Sequence, residues 1–130
     1  MALKKEELRQ FSGTETWRSW SPLFPKMLLT DGAKYVADHG GESGAYWLMD
    51  AIASYQPQLQ KDPQLEAAQF WKLQVRPDRT ATLLCRADSN VEPAVKQEIE
   101  FTDFDLPEIE LYCMPVGDGK HHTILLPSEY

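Results

Sequence analysis

The hydrophobic pattern of the chain changes its period near residue 68, and this change constrains the fold more than any other feature of the sequence. Before it, apolar residues recur at the i, i+3, i+4, i+7 spacing of an amphipathic helix, namely at Ala45, Leu48, Met49, Ile52 and Tyr55. After it, Trp71, Leu73 and Val75 alternate with polar residues, as on a strand with one buried face. The sequence therefore predicts helices first and strands afterwards.

Three helices are predicted before this change. The first is short and covers residues 3–11. The second begins at Thr30-Asp31-Gly32, where Thr30 or Asp31 can cap the free N–H groups, and it stops at Gly40-Gly41. The third is expected to use Ser43 as its cap and to close at Pro57.

Two segments fit neither period. Residues 14–29 stay unassigned, because Pro22 and Pro25 exclude a continuous helix or a central strand there. Residues 58–67 are polar and are predicted to form a connector that Pro63 interrupts.

Beyond residue 68, five segments alternate apolar and polar residues and are predicted to be strands. They contain Trp71, Ala81, Val95, Ile109 and His122. The short turns between them favour hairpins over βαβ crossovers, which need longer connections. We expect an α+β fold in which an antiparallel meander of four to five strands is covered on one face by two to three N-terminal helices. Residues 1–130 are expected to form a single domain.

Composition argues against several classes of function. The net charge is −7, and no cluster of Lys and Arg is present, so direct nucleic-acid binding is not expected. No apolar run approaches the ~20 residues that cross a bilayer, and the N-terminus lacks the apolar region of a secretory signal. We therefore expect a cytoplasmic protein with no membrane contact.

The acidic residues are concentrated in one segment. Between Arg86 and Glu110 lie eight acidic residues against only Arg86 and Lys96. An acidic face that binds a basic protein surface is one interpretation, and solvated charge along strand edges is the other.

Most catalytic motifs are missing, and the sequence gives no sign of a cofactor. Asp103 and Asp105 are two residues apart, so both carboxylates could reach one point from an extended chain. Together with Asp31 they are the candidate acid, base or metal-ligand residues, and the alternative is that Asp31 caps a helix and Asp103 caps a turn. No metal site is predicted, because a stable site needs three or four converging ligands.

Two further residue types are candidates for chemistry or binding. Cys85 and Cys113 fall in the apolar phase of their strands and are expected to be buried and inert. Trp17, Trp20 and Trp47 lie off the apolar stripes and are candidate binding aromatics. The alternative is that they seal the junction between helices and sheet.

Four short stretches together resemble a known family. They are Thr30-Asp31-Gly32, Tyr46-Trp47-Leu48, Thr102-Asp103-Phe104 and the terminal Leu126-Pro127-Ser128-Glu129-Tyr130. The combination is similar to a family of small bacterial proteins known only as a domain of unknown function, over residues 11–130. The resemblance implies a stand-alone bacterial domain of this length, and it implies no activity, cofactor or catalytic residue.

These observations leave two hypotheses for function. The first is a non-catalytic interaction or accessory protein that binds another protein or a second copy of itself, with the acidic face as one version of the contact surface. The second is a small enzyme or ligand-binding protein that uses a carboxylate site formed by Asp31, Asp103 and Asp105.

Overall fold

The computed structural model describes residues 3–8, 10–11, 17–42, 44–88 and 90–130. These residues form a seven-stranded sheet that carries helices on one face. The strands are β1 (Trp17–Ser21), β2 (Phe24–Thr30), β3 (Gln69–Val75), β4 (Ala81–Arg86), β5 (Val95–Ile99), β6 (Glu108–Pro115) and β7 (His122–Leu125). The helices are α1 (Lys5–Leu8), α2 (Asp31–His39), α3 (Tyr46–Leu59), α4 (Pro63–Ala67) and the 3₁₀ turn Pro127–Glu129.

The predicted α+β class with a mostly antiparallel sheet is confirmed, but the predicted strand count and layout are wrong. The strand order is β1-β2-β7-β6-β3-β4-β5 rather than a meander of four to five strands. β3 lies between β4 and β6, and β7 pairs with β2 in parallel while the other neighbours are antiparallel. Short connections favour pairing between strands that follow each other in sequence. Here, however, β2 from the N-terminal segment pairs with one edge of β7.

The unassigned N-terminal segment contains the two strands that the prediction lacked. Within it, β1 and β2 form an antiparallel hairpin around Pro22-Leu23. Pro25 has no N–H to donate, and it is tolerated because β7 pairs with β2 only from Met27 onward. Residues 14–16 of the unassigned segment lie outside the described residues.

The predicted boundaries of α2 are confirmed. Thr30 caps its first turn, because the Thr30 hydroxyl accepts a hydrogen bond from the Ala33 N–H at 3.2 Å. The helix ends at His39, and Gly41 follows with a φ of +115° that favours glycine.

The end of α3 and the connector after it differ from the prediction. Pro57 lies inside α3, which continues to Leu59, because a proline near the end of a helix removes only one backbone hydrogen bond. The expected connector contains α4, where Asp62 accepts a hydrogen bond from the Gln64 N–H at 2.9 Å and Pro63 occupies the first turn. Ser43, the predicted cap of α3, lies outside the described residues.

The core lies between the helices and one face of the sheet. Trp71 and Phe104 are its largest fully buried side chains, and the α3 stripe of Leu48, Met49 and Ile52 packs in the same cluster. None of the described helices could span a membrane; α3, the longest, has 14 residues against the ~20 required.

Candidate functional site

The three candidate carboxylates lie at opposite ends of α2. Asp31 is in the first turn, where its carboxylate accepts a hydrogen bond from Arg18 Nε at 3.0 Å. Asp103 and Asp105 contact the loop that follows the helix. Nine helical residues span about 13 Å, so Asp31 does not converge with the other two.

Asp103 and Asp105 share one role, which is to bind backbone N–H groups of that loop. Asp103 Oδ2 accepts from Glu42 N at 2.9 Å, and Asp105 Oδ2 accepts from Gly41 N at 3.0 Å and Leu3 N at 2.8 Å. A Cβ on Gly41 would lie 2.5 Å from Asp103 Oδ1, so only glycine allows this close approach. Within the described residues no group of three or more His, Cys, Asp or Glu side chains could hold a metal ion.

A fourth carboxylate, Glu129, holds the other end of α2, and its role was not predicted. Glu129 is 3% exposed, and its oxygens accept hydrogen bonds from Thr30 Oγ1 at 2.6 Å, Gly32 N at 3.0 Å and Leu126 N at 3.0 Å. Two of the four stretches that carried the family resemblance, residues 30–32 and 126–130, therefore contact each other. The signal was present in the terminal motif, but its contact lies 97 residues away in sequence.

The candidate tryptophans separate onto the two faces of the sheet. Trp20 lies on the helical side, stacked on Tyr46 with ring centroids 5.7 Å apart, and donates a hydrogen bond to Asp50 Oδ1 at 2.8 Å. Trp47 is half-buried against the core. Trp17 alone of the three lines a cleft on the opposite face, and 45% of it is exposed.

We name that opposite side of the sheet the open face, because no helix in the described part of the chain covers it. Its strand residues are those that alternate with the core positions. They include Trp17, Ser19, Lys26, Leu28, Phe70, Lys72, Gln74, Thr82, Leu84, Arg86, Lys96, Glu98, Glu108, Glu110, Tyr112, Met114, Thr123 and Leu125.

One half of the open face is aromatic and apolar. Trp17 and Tyr130 line a cleft of about 380 Å³ whose floor includes Met114, Thr123 and Leu125. Tyr130 is 73% exposed. The aromatic surface continues across the sheet. Tyr130 packs edge-on against Tyr112 of β6, and Tyr112 packs edge-on against Phe70 of β3.

The other half carries charges of both signs around a second cleft of about 420 Å³. Phe70 and Tyr112 line it together with four charged residues, Lys72, Arg86, Asp88 and Glu110. Across the whole open face four basic strand residues stand against three acidic ones, although the chain carries −7. The open face is therefore close to neutral.

The acidic segment does not form one continuous free surface. Asp103 and Asp105 are engaged with the loop after α2. Glu98 pairs with Arg76 at 2.8 Å, and Glu108 pairs with Lys72 at 3.1 Å. These acids are divided between loop contacts and pairs along the strands.

The predicted burial of both cysteines is confirmed. Burial raises the pKa of the Cys85 thiol to about 12, and burial together with the neighbouring Cys85 raises the pKa of the Cys113 thiol. Both thiols stay protonated at neutral pH, which disfavours them as nucleophiles.

Comparison with known proteins gives a family but no activity. Residues 2–130 match the model of a family described as "Family of unknown function (DUF6876)", so the chain belongs to that family. The structure resembles a crystal structure of a protein of unknown function from Enterococcus faecalis, with 17% identity and a TM-score of 0.57 over 88% of this chain and 98% of that one. None of the curated proteins compared with the chain matches it. The likeness to the Enterococcus protein shows the fold alone.

Proposed function

We propose that this member of the DUF6876 family is a non-catalytic accessory protein that binds another protein through its open face. The observation that carries the proposal is the exposure of Trp17 and Tyr130 beside a cleft lined mainly by apolar residues, on a sheet face that no described helix covers. Large exposed apolar patches on soluble proteins mark interaction surfaces, and Trp and Tyr dominate the binding energy of such surfaces.

The chemistry of the open face defines the partner surface. Its aromatic half requires apolar side chains on the partner, and its balanced charges favour a partner surface with little net charge. A phosphate backbone fits poorly, because four basic residues are offset by three acidic ones.

The carboxylate hypothesis has less support. Asp31 lies about 13 Å from the loop that Asp103 and Asp105 contact, and all three accept hydrogen bonds from neighbouring groups of the chain. This arrangement matches helix and loop capping, the alternative that the sequence left open.

Site-directed crosslinking tests the proposal, because the native thiols are buried and do not compete for a label. Lys26→Cys places a benzophenone maleimide on the open face, and Lys61→Cys places it between α3 and α4 as a matched control. We expect protein adducts from position 26 and none from position 61. The additional substitution Trp17→Ser should weaken binding of the adduct-forming partner at least about tenfold.

Equal adducts from both positions would indicate non-specific collision, and adducts from position 61 alone would place binding on the helical side. Either result contradicts the proposal. A position-26 adduct that Trp17→Ser does not weaken contradicts the assigned role of the aromatic cleft.

A further inference from the structure

We infer that the protein bound by the open face is a second copy of this chain, in a two-fold dimer whose open faces meet. This inference rests on the proposed function and specifies its partner. A two-fold interface needs a self-complementary surface, so that any residue i that meets residue j across the interface is matched by j meeting i. The open face meets this requirement, because it carries basic and acidic residues in nearly equal number and an apolar region that can pack against its own copy.

The charge distribution of this face favours self-association. Each copy carries −7, so two copies repel, and the repulsion is smallest where the contact surfaces are close to neutral. The open face has three acidic strand residues and four basic ones, and the excess acid therefore lies elsewhere. Net charge therefore opposes contact through this face less than contact through the acidic remainder.

Arg86 and Glu110 provide the complementary pair. Arg86 is the register partner of Phe70 on β4, and Glu110 is the register partner of Lys72 on β6. They are therefore two strand spacings apart across the sheet and two residues apart along it, about 12 Å in all. Within the described residues, the Arg86 guanidinium makes one hydrogen bond, in which Nε donates to Val91 O. The Glu110 carboxylate has no partner there, because the neighbouring Lys72 pairs with Glu108.

A two-fold axis that lies in the plane of the interface and crosses β3 between Phe70 and Lys72 places Arg86 of each copy opposite Glu110 of the other. The edge-to-face pair of Phe70 and Tyr112, with centroids 4.9 Å apart, then lies near the centre of the contact. Aromatic groups at the centre with charges around them are the usual arrangement of a protein interface.

Charge exchange tests this geometry. Sedimentation of the wild-type chain should give twice 14.9 kDa at micromolar concentrations. Arg86→Glu and Glu110→Arg should each raise the dimer dissociation constant at least about tenfold, because each opposes like charges twice. An equimolar mixture of the two variants should dimerise again. In the mixed pair the two substituted side chains face each other with opposite charges, and so do the unchanged Arg86 of one copy and the unchanged Glu110 of the other.

Matched controls separate this effect from net charge and misfolding. Lys61→Glu changes the net charge as Arg86→Glu does, and Glu100→Arg changes it as Glu110→Arg does, but neither residue is among the strand residues of the open face. Both controls should dimerise like the wild type. Recovery in the mixture requires that each variant is folded.

A wild-type chain that stays at 14.9 kDa up to about 100 µM would overturn the inference, since micromolar dissociation constants are detected in that range. A dimer that neither substitution weakens, or a mixture that stays monomeric, would overturn it as well. If position 26 then crosslinks to a different protein, the proposed function stands without the second copy. If no adduct forms, both fail.

Discussion

Glu129 is a buried carboxylate that joins the 3₁₀ turn at the end of the chain to the start of α2. Its oxygens accept hydrogen bonds from a hydroxyl and two backbone N–H groups, which compensate for its burial. Gly32 allows the contact, because a Cβ there would lie 2.5 Å from Glu129 Oε1 and 2.6 Å from Leu126 Cδ1. The contact gives the terminal stretch 126–130 a structural role.

We predict that Glu129→Ala lowers the free energy of unfolding by about 3 kcal/mol, because three buried donors lose their acceptor. Gly32→Ala should cost about 2 kcal/mol through overpacking. The double variant should cost less than the sum, since the alanine Cβ occupies space that Glu129 leaves. Urea denaturation measures all three. A Gly32→Ala variant stabilised by about 1 kcal/mol, as glycine replacement usually does within a helix, would contradict the close approach.

The two buried thiols predict a loss of stability at alkaline pH. Burial raises the pKa of Cys85 to about 12 and also raises the pKa of Cys113. Above pH ~8.5 the unfolded thiols lose protons while the folded ones keep theirs, so the stabilisation is complete below that pH and decreases as the pH rises towards 12.

We expect the free energy of unfolding of the wild type, minus that of a Cys85→Ala/Cys113→Ala variant, to fall by about 2 kcal/mol per thiol between pH 8 and pH 10. Taking the difference removes the titration of tyrosine and lysine residues common to both chains. A difference that stays constant over this range would show that water reaches the thiols in the folded protein.

At the scale of elements, the change of period near residue 68 identified β3 to β7. Buried and more exposed residues alternate along β3 and β6, whereas β4 and β7 are buried at nearly every position. β2 could not be found in this way. Leu28 points to the open face yet is apolar, so the alternation with Met27 and Leu29 disappears. The residues that hid the strand belong to the apolar half of the proposed binding surface.

The candidate carboxylates were recognised as boundary residues, but their partners were not predictable from local pattern. Asp103 and Asp105 contact a loop more than 60 residues earlier. Hydrophobic periodicity reports only which face of an element is buried, and it carries no information about which distant loop a polar side chain meets.

A buried amide pair fixes the position of α3 on β3. Gln56 Nε2 donates to Gln69 Oε1 at 2.8 Å, and Gln69 Nε2 donates to Gln56 Oε1 at 2.7 Å. Trp71 Nε1 also donates to Gln69 Oε1 at 2.9 Å. Such a network requires all its members, because a single missing partner leaves buried polar groups unpaired.

We predict that Gln69→Leu lowers the free energy of unfolding by about 3 kcal/mol, and that the Gln56→Leu/Gln69→Leu double variant is more stable than this single variant. The double change removes both amides, so fewer unpaired groups remain. Gln74→Leu, an exposed change on the same strand, should stay within about 0.5 kcal/mol of the wild type. Thermal and urea unfolding distinguish these outcomes. A double variant that loses the sum of both single costs would contradict the pairing.

For the molecule as a whole, the separation of a nearly neutral open face from an acidic remainder determines how the proposed dimer responds to salt. Two bodies of charge −7 with centres about 25 Å apart repel by about 8 kcal/mol in salt-free water. Screening reduces this repulsion to about 3 kcal/mol at 10 mM salt and to below 1 kcal/mol at 150 mM. The two Arg86–Glu110 contacts weaken as well, but exposed pairs contribute only about 0.2 to 1 kcal/mol each.

Repulsion therefore outweighs the ion pairs, and we predict that the dimer tightens roughly tenfold between 10 and 150 mM NaCl. Sedimentation equilibrium at several salt concentrations measures this change. Glu92→Gln/Glu100→Gln, which changes the net charge from −7 to −5 outside the strand residues of the open face, should reduce the salt effect by about half, since repulsion scales with the square of the charge. Binding to a basic partner through the acidic segment would weaken with salt, so the sign of the dependence separates the two surfaces.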